Sequence, residues 1–166
     1  MAGFRVEHRE AVAYIAVPVH TTMAAFPARV GEAFAELDAY LAQRGAETIG
    51  AGAIRYRSVA LDATFTVEVA HAVVGVPKVR DRNLAGRFEA GTYAVAEQHG
   101  PYAWIGGLTR DLMDWGDSQG LDFAMTPGDE RRPDVWDCWY EYYPGFPVEG
   151  PRGLEGNVQV CVLLRT

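Results

Sequence analysis

Trp139-Tyr140-Glu141-Tyr142-Tyr143 sets four aromatic side chains around one carboxylate. The stretch lies inside a longer run, residues 135–144, with Pro133 before it and Pro144 at its end. Aromatic richness bounded by prolines reads as a strand. Successive side chains along a strand face opposite ways. Val135, Asp137, Trp139, Glu141 and Tyr143 therefore share one side, and Trp136, Cys138, Tyr140 and Tyr142 the other. A carboxylate among aromatics suits a packed core poorly, because a buried charge needs a partner. This leaves two readings. Either this face is washed by solvent and Glu141 is hydrated, or it is an aromatic-walled pocket with one anionic residue on its floor.

Outward from this strand, residues 145–156 form a loop rich in Pro and Gly, and residues 158–164 a final apolar strand. Upstream, residues 122–133 read as a long polar loop. Before it a helix over residues 103–119 carries Ile105, Leu108, Leu112 and Trp115 as its apolar stripe, with Gly120 as its stop. Residues 91–98 are a strand, and His99-Gly100-Pro101-Tyr102 is the turn that joins it to the helix.

The preceding part of the chain has the same order. Residues 12–19 are a strand, with residues 4–9 as a lead-in that pairs with it, and Thr21 or Thr22 caps the helix beyond. That helix, over residues 27–44, has Pro27 in its first turn, the stripe Val30, Phe34, Leu37 and Leu41, and Gly45 as its stop. Residues 47–52 are a loop, residues 53–59 and 65–74 are strands, and residues 77–83 are a charged linker. Tyr14 and His20 recur as Tyr93 and His99 at one offset, and Leu37, Tyr40 and Gly45 recur as Leu112, Trp115 and Gly120 at a slightly shorter one. The expectation is one α+β domain over residues 1–166, made of strand-helix-strand-strand pseudo-repeats at about 1–76 and 84–166. The sheet should be antiparallel, with two helices on one face and a ligand groove on the other. Trp139, Glu141 and Tyr143 line that groove if the helices cover the face bearing Trp136, Cys138, Tyr140 and Tyr142.

Composition narrows the function. At 166 residues, 49% hydrophobic and 22% charged, the chain is an ordinary globular one. A net charge of -7 argues against direct nucleic-acid binding, which needs clustered Lys and Arg. It suits cationic ligands or basic partners. Neither a secretory leader nor a membrane-length apolar run is visible, so a cytoplasmic protein with no membrane association is expected. Cys138 and Cys161 fall in strands and are expected to be buried, reduced thiols, although adjacent strands would let them pair.

Taken together, four features resemble the GyrI-like family, also called the bacterial effector-binding or multidrug-binding domain. They are the repeated element order, the strand Phe65-Thr66-Val67-Glu68-Val69, residues 90–95 running into His99-Gly100-Pro101-Tyr102, and the Glu141 strand ahead of its Pro-rich loop. The resemblance implies a two-part α+β domain that binds lipophilic, cationic aromatic compounds in a central groove, with Glu141 at the floor. No helix-turn-helix precedes Val12 and no basic segment follows Leu164, so the chain resembles the stand-alone branch. Some members of that branch bind drugs, one type antagonises DNA gyrase, and some resemble hydrolases that open cyclopropane-bearing natural products. Gyrase is thus the minority partner expectation.

The chemistry fits binding. Burial raises the pKa of an uncompensated carboxyl, and a lipophilic cation restores the balance. Aromatic faces add cation–π attraction of roughly 0.5–2 kcal/mol each. The expected ligand-binding residues are Glu141, Trp139, Tyr143, Tyr102, Glu68 and Tyr56. If the groove is catalytic, Glu141 and Tyr143 are the acid–base pair. No cofactor is expected. His20, His71 and His99 lack metal-ligand spacing, and capping or turn roles are expected for His20 and His99. Gly50-Ala51-Gly52 lacks the Lys and helix of a phosphate loop. Tyr56, Tyr14, Tyr93 and Trp104 read equally as core or pocket, and Glu68 equally as a wall carboxylate or an exposed strand acid.

Overall fold

The computed structural model describes residues 3–75, 79 and 83–166. Strands β1 (Gly3–Arg9) and β2 (Val12–Thr22) lead into helix α1 (Phe26–Arg44), which is followed by β3 (Thr48–Val59), β4 (Thr64–Val73) and β5 (Leu84–Phe88). Then β6 (Gly91–Pro101) passes through one 3-10 turn (Tyr102–Trp104) into α2 (Ile105–Ser118). The chain closes with β7 (Met125–Thr126), β8 (Asp134–Tyr143), β9 (Val148–Gly150) and β10 (Gly153–Leu163).

The strands form one antiparallel sheet in the order β1-β6-β10-β8-β3-β4-β2-β5, with β7 beside β8 and β9 beside β10. The order reads alike from either end. A short edge strand is followed by the strand that feeds a helix, and β8 and β3 meet in the middle. Helix α1 packs on β2 and β4, and α2 on β6 and β10. Their stripes, Val30, Leu37 and Leu41 on α1 and Ile105, Leu108 and Leu112 on α2, close over Val17, Val67 and Val69 and over Val158, Val160 and Val162 in one core. Both helices therefore lie on one sheet face, as the stripes predict. The gap between them is floored by β3 and β8.

The opposite face is not the open groove that the sequence suggests. It carries a second core of Tyr14, Phe88, Tyr93, Val95, Cys138, Tyr140 and Cys161. Phe88 on the edge strand β5 stacks on Tyr140 of β8 at 4.1 Å, although three strands separate them in the sheet. The sheet thus curls into a half-barrel with this face inside, and β5 covers it. Strand parity says which residues share a face; it does not say which face the helices take. Both cysteines are free and buried in this inner core.

Other differences have local causes. β1 pairs with β6 rather than with β2. Strand β5, unanticipated, is a five-residue edge strand whose Gly86 faces the Tyr14 ring. The linker at residues 77–83 lies largely outside the described residues. Residues 48–52 belong to β3, where a bulge between Ile49 and Ala53 absorbs the glycines. Gly50, at φ 73, lies under the Tyr142 hydroxyl, where a Cβ has no room. His99-Gly100-Pro101 extends β6 instead of turning, and His20 lies within β2. Each histidine bonds a cross-strand neighbour, His20 Nδ1 with Thr66 Oγ1 at 3.0 Å and His99 Nδ1 with Asn157 Oδ1 at 2.9 Å. No helix among the described residues is long and apolar enough to cross a membrane.

Candidate functional site

The middle strands place Tyr56 of β3 opposite Trp139 of β8. Alternation then brings Glu141 and Tyr143 to the same side as Tyr56. That side is the helix-bearing one, so the Glu141 cluster lies in the gap between α1 and α2. The expected position on the helix-free face is overturned. The structure also decides against a hydrated Glu141, because the residue is 5% exposed.

Two phenols hold the carboxyl. Tyr143 Oη donates to Oε1 and Tyr56 Oη to Oε2, each at 2.7 Å. No cation pairs with Glu141 among the described residues. Burial pushes its pKa above the usual carboxylate range, and the two phenol bonds oppose that shift. The phenols respond in kind. Burial, then the charge of Glu141, moves Tyr56 and Tyr143 well above ordinary tyrosine, so both remain donors.

Around the carboxyl the aromatics form a continuous line. Tyr56 stacks on Trp139 at 4.2 Å with 17° between planes, and Phe26 lies parallel to Tyr56 at 6.2 Å. Tyr102, in the 3-10 turn before α2, packs on Tyr143 at 5.3 Å. Trp136 meets Trp139 edge-on at 5.0 Å. Simple parity puts Trp136 on the other face. The register shift explains its place: Tyr56 opposes Trp139 and Ser58 opposes Val135, so a two-residue step on β3 faces a four-residue step on β8. The surplus turns Trp136 toward the helices. Two buried polar atoms here, Tyr102 Oη and Trp139 Nε1, have no hydrogen-bond partner among the described residues.

Of the six residues expected to bind ligand, Glu141, Trp139, Tyr143, Tyr102 and Tyr56 come together. Glu68 does not. Val67 and Val69 face the helices, so Glu68 points into the half-barrel. There it accepts from Arg57 Nε at 2.7 Å and from the Tyr14 hydroxyl. Tyr14 Oη in turn receives Arg55 Nη1 at 3.1 Å, and Arg55 also donates to the Arg87 and Asp137 carbonyls at 2.7 Å each. The sequence reading missed this network. Its signal is the alternation Arg55-Tyr56-Arg57, which sends two guanidiniums to the face opposite Tyr56. Phe26 and Trp136 were also missed. No His, Cys, Asp and Glu grouping suited to a metal occurs among the described residues.

Two cavities lie elsewhere. One of about 450 Å³ sits beside α1, lined by Val19, Arg29, Glu32, Ala33 and Glu36, and one of about 390 Å³ sits at the end of α2. Their charged side chains are all exposed. The buried, cation-free carboxyl, not volume, singles out the Glu141 cluster.

No sequence-family model matches the chain, and no curated protein matches it by sequence. Solved structures do match. The EcmrR C-terminal domain superposes with a TM-score of 0.63 at 10% identity, covering 100% of this chain and 99% of that one. EcmrR in an EcmrR–DNA complex superposes with a TM-score of 0.67 at 10% identity, over 99% of this chain. The present chain spans 58% of that EcmrR chain. SAV2435 bound to tetraphenylphosphonium matches with a TM-score of 0.51 at 10% identity, over 98% of this chain and 94% of that one. At such identities the likeness is one of fold alone, and two helices on a curled antiparallel sheet are consistent with the GyrI-like fold.

Proposed function

We propose that the chain is a GyrI-like binding protein for flat lipophilic cations, with Glu141 as the counter-charge in the gap between the helices. One observation carries this reading: Glu141 is buried between two phenol donors with no cation beside it among the described residues. A buried carboxyl in that state is costly, and a bound cation relieves it. The unpartnered Tyr102 Oη and Trp139 Nε1 offer further polar contacts to a guest. The binding of tetraphenylphosphonium by SAV2435 supports the charge and lipophilicity of the ligand.

Tyr56 and Trp139 are in direct contact, so a flat ligand has to part them, and the natural mover is the half-exposed Trp139. The opened stack then offers two ring faces to the guest. Selection rests on charge and flatness, which gives broad specificity.

Fluorescence titration with ethidium and with an uncharged phenanthridine of the same outline tests the reading. The cation binds more tightly, and Glu141→Gln weakens it at least about tenfold while leaving the neutral compound unchanged. Equal affinity for both compounds, or full cation affinity in Glu141→Gln, refutes the ion-pairing floor.

A further inference from the structure

The aromatic line along β8 does not stop at Trp139. Trp136, turned to the helix side by the register shift, forms one wall of the cavity of about 390 Å³ at the end of α2. Met113 and Asp117 of α2, Phe123, Met125 and Arg165 complete it. That volume falls within the range of small-molecule sites.

Its walls are fixed by the main chain. Gly116 on α2 leaves its backbone open, and the Phe123 ring occupies the space where a Cβ would stand. Leu121 N–H bonds the Gly116 carbonyl at 2.9 Å as the chain leaves the helix. Ala124 N–H bonds the Leu163 carbonyl at 2.8 Å, and Asp137 N–H bonds the Ala124 carbonyl at 3.0 Å, which ties the returning segment to β10 and β8. The cavity is therefore preformed, unlike the sealed surroundings of Glu141.

Its chemistry points to a cation. Asp122 pairs with Arg165 at 3.6 Å, and Arg165 also donates to the Met125 carbonyl. The Asp117 side chain has no partner among the described residues, so the rim keeps one uncompensated negative charge. Trp136 adds a π surface, and two thioethers supply soft, adaptable walls. We infer that this cavity is a second berth for lipophilic aromatic cations, the outer station of a groove whose inner station is Glu141. The pairing of stations rests on the Glu141 reading; the outer berth stands on residues of its own.

Methionine methyl NMR separates the two. The chain has four methionines, of which Met113 and Met125 line the cavity and Met23 lies 61% exposed before α1. The full-length protein, labelled with [methyl-¹³C]methionine, is titrated with tetraphenylphosphonium. Met113 and Met125 shift together with one saturating isotherm while Met23 stays still, and the same isotherm appears in Glu141→Gln. Asp117→Asn weakens it by about three- to tenfold. Silent Met113 and Met125 methyls overturn the berth. So do methyl shifts that vanish in Glu141→Gln, since they would then be relayed from the inner site, and so does an isotherm indifferent to Asp117→Asn. Methyl shifts that persist while Glu141→Gln leaves ethidium binding intact uphold the outer berth and refute the inner one.

Discussion

Two buried glutamates sit on opposite faces of one sheet, Glu68 at 7% exposure and Glu141 at 5%. Glu68 has a guanidinium at 2.7 Å, with a second arginine one tyrosine away. Glu141 has two phenols and, among the described residues, no cation. The inner face of the half-barrel thus satisfies its acid within the chain, and that acid is part of the scaffold. The helix face leaves its acid unbalanced, and an unbalanced charge is available to a guest. Equal burial does not separate the two residues; the identity of their partners does.

The comparison is most exposed to substitution at Glu68. Glu68→Gln takes the carboxylate from the partly exposed Arg57 directly and from the buried Arg55 through Tyr14. We expect a loss of about 2–4 kcal/mol in urea unfolding, below the full value for a buried pair because Arg57 reaches solvent. A loss under about 0.5 kcal/mol would erase the contrast. Glu141→Gln should move the other way or hardly at all. Near neutral pH it removes an uncompensated charge, so stability rises or stays within about 1 kcal/mol.

Acidity sharpens the point. The folded protein holds the Glu141 proton more tightly than the unfolded chain, whose value is 4.5. As pH climbs from there, the unfolded chain releases its proton first, and this residue's contribution to stability falls until pH passes the raised folded value. The difference between wild type and Glu141→Gln, measured by denaturation at several pH values, should follow that course. Cation affinity should rise over the same window, as the carboxylate form fills. A flat difference would place Glu141 with ordinary carboxyls. The smallest effect is expected from Tyr143→Phe. It removes one donor to the charged form, so ethidium affinity falls about threefold and its onset moves to higher pH. An onset moved to lower pH would show that the Tyr143 hydroxyl does not favour the charged form.

Much of this was legible in the residues. The helices announced themselves through Leu37 and Leu41 and through Leu108 and Leu112, and the Trp139–Tyr143 run marked the central strand. Parity correctly placed Trp139, Glu141 and Tyr143 together. It failed at Trp136, because a bulge leaves no mark in composition, and at the choice of face, because that depends on the covering of Tyr140 by Phe88 from a distant edge. Glu68 looked like Glu141 because both are acids among apolar strand residues. Only the pairing of β3 with β4, which sets Arg55 opposite Glu68 with Arg57 alongside, tells them apart.

The seam between β3 and β8 has one more implication. Tyr56 comes from the chain before residue 76, and Glu141 and Tyr143 from the chain after residue 83. Severed between Gly75 and Asn83, the protein would become two fragments, each holding an incomplete cage. Fragment complementation would then be coupled to ligand, because only the rejoined ladder gives Glu141 its second phenol. Fused to a split reporter, such fragments would convert the presence of a lipophilic cation into a signal of assembly.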